Sequence, residues 1–366
     1  MSEIIKALED SDQAETCLVI NGIHQSKNFG NTIIEIEDSN IKNKIELNIE
    51  YSSNIDNDLG VISSEILSQF SEAIQKFKPD YIVLVGDRFE TMVSALAGYL
   101  KRVKIIHFHG GEKTIGSFDD SLRHAITKLS DFHFVASPEY KKRIEQLGED
   151  PSSIFEIGNL IGFNIASMDF INLNELQMEL NFVLKKRNIL VTLHPETGFE
   201  VDNRINANEL VKALDALGSD INIFITSPNA DPGAFEIRQV LEEFSFKREN
   251  TYFFPSLGQL KYLSLMHFCD LVIGNSSSGV IESPMLGVPS INLGIRQTGR
   301  VIKKGVYNCP FIHDKITNKI NEAFETKDAS EEHVDYLQYD KKTLIKKLLS
   351  LETHSHPKIF HDLNFF

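Results

Sequence analysis

Ionisable side chains crowd one stretch, IIHFHGGEKTIGSFDDSLRHAITK (105–128), among them His107, His109, Glu112, Asp119, Asp120, Arg123, His124 and Lys128. Groups of these types at this spacing can cap a helix, hold a metal, or move protons on a substrate. If the apolar run before them is a strand, His107 and His109 share a face, because side chains two apart point together. Gly110 and Gly111 then turn the backbone sharply. Asp119 or Asp120 caps the helix that follows, and Arg123, His124 and Thr127 recur at helical spacing from Asp120. A lone histidine in such a place is ordinarily a hydrogen-bonded core residue, but four acid/base groups on turns bracketing one strand end point to function.

Three further segments carry chemistry. VLVGDRFETMVSA (83–95) reads as strand, Gly86-Asp87-Arg88, then helix. Ligands bind at the carboxyl ends of strands in open α/β sheets, so Asp87 and Arg88 belong on a cleft floor, unless Asp87 merely caps the helix. VTLHPET (191–197) sets His194 at a strand end, able to face such a cleft. In CDLVIGNSSSGVIESPMLGVPSINLGIRQTGR (269–300) a buried strand ends in Gly274-Asn275, followed by Ser276, Ser277, Ser278 and Gly279 and a short helix. Backbone N–H groups at a helix start bind phosphate, and small residues let it approach. A serine-rich cap is the bland alternative, but one cap needs one serine. Glu282, a turn in, is placed for ribose hydroxyls, and Arg296 and Arg300 for a diphosphate. The spacing matches neither G-x-x-x-x-G-K-S/T nor G-x-G-x-x-G, so ATP and NAD are not indicated. A dinuclear metal centre would need D-x-H on an earlier strand and G-N-H on a later one; the chain has GNSSS (274–278), so no metal is expected.

The elements that must hold these residues alternate in type. CLVING (17–22), DYIVLVG (80–86), KIIHFH (104–109), FHFVAS (132–137) and SIFEIG (153–158) read as buried strands, with helical patterns at 65–77 and 91–101 between them. After a polar stretch the pattern restarts with NILVTLH (188–194), NIFITS (222–227), TYFFPS (251–256), DLVIGN (270–275) and VPSINLG (288–294). Such alternation predicts parallel sheets wrapped by helices. The expected architecture is two doubly wound α/β domains, 1–165 and 188–366, with a linker over 166–187 and a cleft between them. The last helix is expected to pack back on the first domain. The first segment, EIIKALEDS, is helical, whereas a domain of this class usually opens with a strand.

The chain of 366 residues carries 37 basic and 52 acidic side chains, a net charge of −15, and no basic stripe, which excludes nucleic acid as a partner. An anionic small ligand would need a local arginine pocket. Cys17, Cys269 and Cys309 are scattered and odd in number, as in a reducing compartment. No apolar run reaches membrane-spanning length and residues 1–16 carry no signal-peptide pattern, so no membrane partner and a cytoplasmic location are expected.

Taken together, GDRFE, HFHGGEKTIGSFDDSLRHAITK, VTLHPET, GNSSSGVIESP and INLGIRQTGR, in order along most of the chain, closely resemble the UDP-N-acetylglucosamine 2-epimerase family, in particular its hydrolysing branch. The resemblance implies two Rossmann-like domains in the GT-B arrangement, the active site in the interdomain cleft, and assembly as a homodimer or homotetramer. It also implies conversion of UDP-GlcNAc and water to UDP and N-acetylmannosamine for sialic-acid-type sugar synthesis, with no metal or other cofactor. A base removes the proton at carbon 2, UDP leaves carbon 1, and water adds to 2-acetamidoglucal. Asp87 and Asp119 match the acid/base carboxylates, with Arg88 beside the first, and His194 matches a histidine near the sugar. Ser276 and Ser277 match diphosphate-binding serines, Glu282 the ribose-binding glutamate, and Arg296 a diphosphate-side arginine. His109, Glu112 and Arg123 complete the catalytic candidates; Asn275, Ser278 and Gly279 complete the substrate-binding set.

Two departures shape the expectations. Many relatives carry a glutamate where this chain has His109, with Glu112 three residues on; members resembling enzymes for UDP-2,4-diacetamido-2,4,6-trideoxyglucose, on the legionaminic acid route, look like this chain, so that sugar is the alternative substrate. Relatives also begin with a strand and a Gly-x-Arg-Ala-Asp/Glu-Tyr-Gly loop. Here the stretch from IKALEDS (5–11) through INGIHQSKNFGNT (20–32) aligns beyond that loop, and the expectation is a first domain lacking its central strand. That feature also motivates a non-catalytic UDP-sugar-binding protein as an alternative, alongside a non-hydrolysing epimerase or a GT-B glycosyltransferase.

Overall fold

The computed structural model describes residues 2–21, 41–49, 59–114, 118–166, 168–197, 201–229, 231–327, 341–352 and 358–363. Part of the segment aligned above, 22–32, lies outside the described residues.

Long runs of β-branched and aromatic residues with no polar alternation form strands buried on both faces, as parallel sheets require. Strands β3 (Tyr81–Val85), β4 (Lys104–Phe108), β5 (Phe132–Val135) and β6 (Ile154–Glu156) form a parallel sheet in that order. Strands β7 (Arg187–Thr192), β8 (Ile221–Thr226), β9 (Thr251–Phe254), β10 (Leu271–Gly274), β11 (Ser290–Leu293) and β12 (Val306–Cys309) form a six-stranded parallel sheet, ordered β12-β11-β10-β7-β8-β9. The order reverses direction between β7 and β10, which places a topological switch point at the carboxyl ends of these two strands. Strands β1 (Leu18–Ile20) and β2 (Lys44–Glu46) pair parallel in a separate two-stranded sheet. The edge strand β3 alternates, with Ile82 and Leu84 buried and Val83 and Val85 40% and 39% exposed.

Helices cover both faces of the large sheets. Ile189, Val191, Ile223 and Ile225 meet the helices Asn203–Asp215, Ala234–Lys247 and His313–Lys327. On the opposite face Leu190, Phe224 and Val272 meet the helix Gly258–Phe268, together with Leu176 and Phe182 from around the helix Leu173–Leu180. In the first lobe Ile82, Leu84 and Ile105 pack on the helix Leu59–Phe77. Ile106, Phe108 and Phe134 on the other face are covered by Ile4, from the helix Ser2–Glu9, and by Leu344 and Ile345, from the helix Lys341–Leu349. The chain therefore returns to the first lobe after building the second, and Tyr81 Oη donates to Leu351 O at 2.9 Å beside that return.

Candidate active site

The strand ends of both lobes converge, and charged side chains join them. β3 runs into Gly86 (φ +80°), then Asp87 and Arg88. The N-cap position of the helix Phe89–Leu100 belongs to Arg88, with no side-chain cap. Asp87 is thus not spent as a cap: its Oδ2 accepts from Arg123 Nη2. Arg123, only 2% exposed, also donates to Thr114 Oγ1 at 2.8 Å. Asp119 and Arg123 are four positions apart on the helix Asp119–Leu129, so both side chains lie on one face.

The two strand-end histidines do not share a face. β4 ends at Phe108, and His109 has φ +65°, a left-handed conformation rare for a residue with a side chain. His107 is wholly buried: its Nε2 donates to Gly86 O at 2.8 Å and its Nδ1 accepts from Thr127 Oγ1 at 3.2 Å. Burial pushes its pKa down to about 3, so it is a neutral strut between strand ends. His109 instead pairs Nδ1 with Glu112 Oε1 at 3.0 Å and accepts from Leu160 N at 3.4 Å. Neither aspartate caps the helix, whose N-cap position is Phe118; Asp119 and Asp120 lie in its first turn, and Asp120 Oδ1 accepts from Thr114 N. The turn before it needs glycine at position 111, where φ is +76° and a Cβ would come 2.4 Å from Tyr140 O.

In the second lobe β10 closes on β7. Gly274 (φ +143°) lies so near Thr192 that a Cβ would meet its carbonyl oxygen at 1.9 Å. Asn275 then staples the strand ends: Oδ1 accepts from His194 N at 2.7 Å and Nδ2 donates to His194 O at 2.8 Å. Its side chain is consumed inside the lobe rather than offered to a ligand. Ser276 Oγ accepts from Ser278 N at 3.3 Å as the N-cap of the short turn Ser277–Val280. Ser278 is buried and joins an internal hydroxyl chain, Tyr262 Oη at 2.6 Å, Thr192 Oγ1 and Thr226 Oγ1. Ser277 remains half-exposed, and Gly279 O accepts from Ser290 Oγ on β11.

Among the described residues two ion pairs knit the lobes. Arg300 Nη1 reaches Glu112 Oε2 at 2.9 Å, and Arg88 Nη1 reaches Asp231 Oδ1 at 3.3 Å. Asp231 Oδ2 is also 3.7 Å from Arg296 Nη2, so one carboxylate holds an arginine from each lobe. Asp231 was not anticipated from sequence, although it follows β8 as Asp87 follows β3. Glu196 was also missed; its Oε1 accepts from Ile295 N at 2.6 Å and Arg296 N at 2.9 Å, fixing the turn that presents Arg296. His194 Nδ1 accepts from Asn229 N at 3.0 Å. Burial, with Arg296 and Arg88 near, holds His194 well below its ordinary pKa and therefore neutral.

The polar capacity left over is mostly cationic. Nε of Arg123, Arg296 and Arg300, and Nη1 of Arg123, are buried without a hydrogen-bond partner among the described residues. Glu282 Oε2 is similarly unmatched, and burial raises its carboxyl pKa against the pull of Arg300 and His109. Buried donors left unmatched are costly, so the cleft suits a ligand with several acceptor oxygens. Among the described residues no group of three or more His, Cys, Asp or Glu is disposed to hold a metal.

The family model for UDP-N-acetylglucosamine 2-epimerase matches residues 6–350. The chain belongs to that family. Relatives of this 2-epimerase family member include the Campylobacter jejuni GDP/UDP-N,N'-diacetylbacillosamine 2-epimerase (hydrolyzing), 37% identical over 86% of this chain and 80% of the relative. The Escherichia coli polysialic acid biosynthesis protein P7 is 33% identical over 87% of this chain and 81% of the relative. Among solved structures, the UDP-GlcNAc 2-epimerase of Neisseria meningitidis bound to UDP-GlcNAc superposes with a TM-score of 0.78 over 95% of each chain at 17% identity. The 2-epimerase fold is thus α/β with parallel sheets in the GT-B arrangement, and no helix among the described residues is long and apolar enough to cross a membrane.

Proposed function

We propose that this chain is a hydrolysing nucleotide-sugar 2-epimerase, converting a UDP-linked 2-acetamido sugar and water to UDP and the free sugar inverted at carbon 2. The observation that carries the reading is one constellation: the carboxylates Asp87 and Asp119 beside arginines whose N–H donors are unmatched. The proton at carbon 2 is weakly acidic, so its removal needs a positioned carboxylate and relief of the charge leaving with the diphosphate. Asp87 and Asp119 supply the base and the acid. Arg296 and Arg300 take the diphosphate with Ser276 and Ser277, and Glu282 takes the ribose hydroxyls, giving its unmatched oxygen a partner. The word "hydrolyzing" in the names of the Campylobacter jejuni relative and of a Legionella pneumophila relative 28% identical supports release of the free sugar over UDP-ManNAc.

For the hexose, UDP-GlcNAc is the first reading. UDP-2,4-diacetamido-2,4,6-trideoxyglucose is the second, favoured by a pocket of about 420 Å³ in which Leu59, Phe118, Val201 and Pro232 stand beside Glu196, Thr197 and Asn203. The apolar part of that lining suits an acetamido methyl and a carbon-6 methyl better than a hydroxymethyl group. The test is incubation with each sugar nucleotide in D₂O, followed by proton and phosphorus NMR. UDP with a C2-deuterated free sugar is expected; UDP-ManNAc accumulation, or no UDP from either compound, would refute the reading.

A further inference from the structure

The two ion pairs between the lobes differ in what surrounds them. The Glu112 and Arg300 side chains are 5% and 11% exposed, and next to Arg300 Val301 packs on the buried cluster of Val135, Tyr140, Ile144 and Ile154 in the first lobe. That contact is ionic and apolar together. Asp231 and Arg88 meet at 3.3 Å with the Arg88 side chain 36% exposed, and Phe118 of the first lobe shares a pocket beside them with Pro232 and Gly233 of the second. Water reaches this pair, so it can part and re-form at little cost. Its carboxylate nevertheless stands on a rigid support. In Asp231-Pro232-Gly233-Ala234 the proline fixes the second position, Gly233 takes φ +84° and ψ 3°, and Ala234 N donates to Asp231 O at 3.0 Å. This is a type II turn, and it opens the helix Ala234–Lys247. The other oxygen of Asp231 faces Arg296 Nη2 at 3.7 Å, while Arg88 is anchored in its own lobe by Nε, which donates to Glu90 Oε2 at 3.2 Å.

We propose that Asp231 is a positioning residue: through Arg88 it draws the Gly86-Asp87-Arg88 turn of the first lobe against the nucleotide side of the second, and so sets Asp87 over a sugar whose diphosphate Arg296 holds. The assignment rests on the epimerase reading, which puts the acid/base carboxylates on one lobe and the nucleotide on the other. Chemistry divided in this way needs a tie that fixes the distance between the halves, because a misplacement of about 1 Å can cost about 10²-fold in rate. Asp231 meets that need by its place. Arg88 follows Asp87 directly in the chain, so anchoring its guanidinium limits where the carboxylate before it can sit. One carboxylate with an oxygen toward each guanidinium also lets two cations, one from each lobe, lie near each other without driving the lobes apart. Asp231 touches no reacting atom; it acts through Arg88.

The experiment compares wild type with Asp231→Asn, Asp231→Glu and Arg88→Gln by steady-state kinetics on both sugar nucleotides, UDP affinity from calorimetry, and small-angle X-ray scattering of the whole protein. For Asp231→Asn the expected result is a kcat lower by about 10–100-fold, the scale of one hydrogen bond to a charged group, with UDP affinity within a few-fold of wild type and a larger radius of gyration. Asp231→Glu keeps the charge on a longer arm and should recover part of the kcat and the compact scattering. Arg88→Gln removes the tie from the other lobe, and adding Asp231→Asn to it should cost nothing further, because two partners in one bond are not additive. A merely structural role would weaken UDP binding and kcat together. That outcome, unchanged kcat and scattering in Asp231→Asn, or a full extra loss in the double variant would overturn the proposal. If Asp231→Asn does not fold, Arg88→Gln carries the same scattering and affinity tests. If wild-type protein turns over neither sugar nucleotide, the epimerase reading fails, and the scattering still decides whether Asp231 holds the lobes together.

Discussion

Glu112 Oε2 lies 2.9 Å from Arg300 Nη1, so a buried carboxylate of the first lobe is paired with a guanidinium of the second. Burial alone would raise the Glu112 pKa, but Arg300 and His109 hold it far below the ordinary value of 4.5. A depressed carboxyl contributes stability that is full above its ordinary pKa and is lost as acid protonates the folded form. Glu112→Gln should therefore cost on the order of 3 kcal/mol near neutral pH, the scale for breaking one partner out of a buried pair. The gap from wild type should narrow only below about pH 4.5. Denaturant titrations between pH 3 and 8 check this, and a gap absent at pH 7 would show that the pair contributes nothing.

Asp87→Asn and Asp119→Asn should each lower kcat by about 10²–10⁴, the usual worth of a general acid or base, while UDP affinity by calorimetry stays within a few-fold. Asp87→Asn should also lower the unfolding temperature, because Arg123 is left buried with its carboxylate gone. Loss of UDP binding with unchanged kcat would reverse the assigned roles.

The adjacent serines separate cleanly. Ser278 Oγ donates to Ser276 Oγ and is hydrogen-bonded to Tyr262 Oη in the hydroxyl chain that reaches Thr226, so Ser278→Ala should cost about 1 kcal/mol of stability and change UDP affinity little. Ser277→Ala should do the opposite, weakening UDP binding about tenfold with no change in unfolding temperature, the scale of one charge-assisted hydrogen bond. Calorimetry and thermal unfolding on the same two proteins decide it.

How far the sequence was legible follows from what each signal depends on. Strands such as NILVTLH and DLVIGN announce themselves because parallel strands buried on both faces are continuously apolar. β2 (KIE) and β12 (VYNC) escaped notice because each is short and carries polar residues. Asp87 and Arg296 stand out as charges after predicted strands and Asp119 as a charge opening a predicted helix, whereas Asp231 and Glu196 become visible only in the folded chain, Asp231 meeting Arg88 of the other lobe 143 positions away and Glu196 meeting Arg296 of its own lobe 100 positions away. The face shared by His107 and His109 was misjudged because strand alternation stops at Phe108, one residue before the left-handed turn. Asn275 and Ser278 read as ligand groups because a sequence does not say which way a hydroxyl or an amide turns.

Glu196 offers a test of indirect positioning. Its carboxylate accepts from two successive backbone N–H groups, Ile295 and Arg296, at the turn that carries a diphosphate-side arginine. Glu196→Gln keeps the shape but weakens these charge-assisted bonds. The expected outcome is about tenfold weaker UDP binding with the unfolding temperature within a few degrees of wild type, and unchanged binding would show that the turn holds itself.

The C-terminal segment 358–363 offers the last test, at the far end of the helix Asp119–Leu129. Lys358 Nζ donates to the carbonyls of Lys128 at 2.8 Å, Ser130 at 2.6 Å and Thr127 at 3.3 Å, satisfying acceptors that a helix C-terminus leaves open. The same amine pairs with Glu149 Oε2 at 2.6 Å, and Glu149 in turn takes bonds from buried His133 and from Lys128. Burial alone would raise the Glu149 pKa; these three bonds hold it at about 2. Its contribution is therefore complete above the ordinary 4.5 and disappears as pH falls toward 2. Lys358→Ala should lower stability by about 1.5–3 kcal/mol at pH 7, the range for hydrogen bonds to charged groups, and should flatten the acid limb of the stability curve between pH 4.5 and 2. Because that helix also carries Asp119 and Arg123, kcat should fall several-fold in the same variant while the affinity for UDP, held by the second lobe, stays constant. A stability loss with an unchanged acid limb would mean that Lys358 contributes through the carbonyls alone and leaves Glu149 where His133 and Lys128 put it.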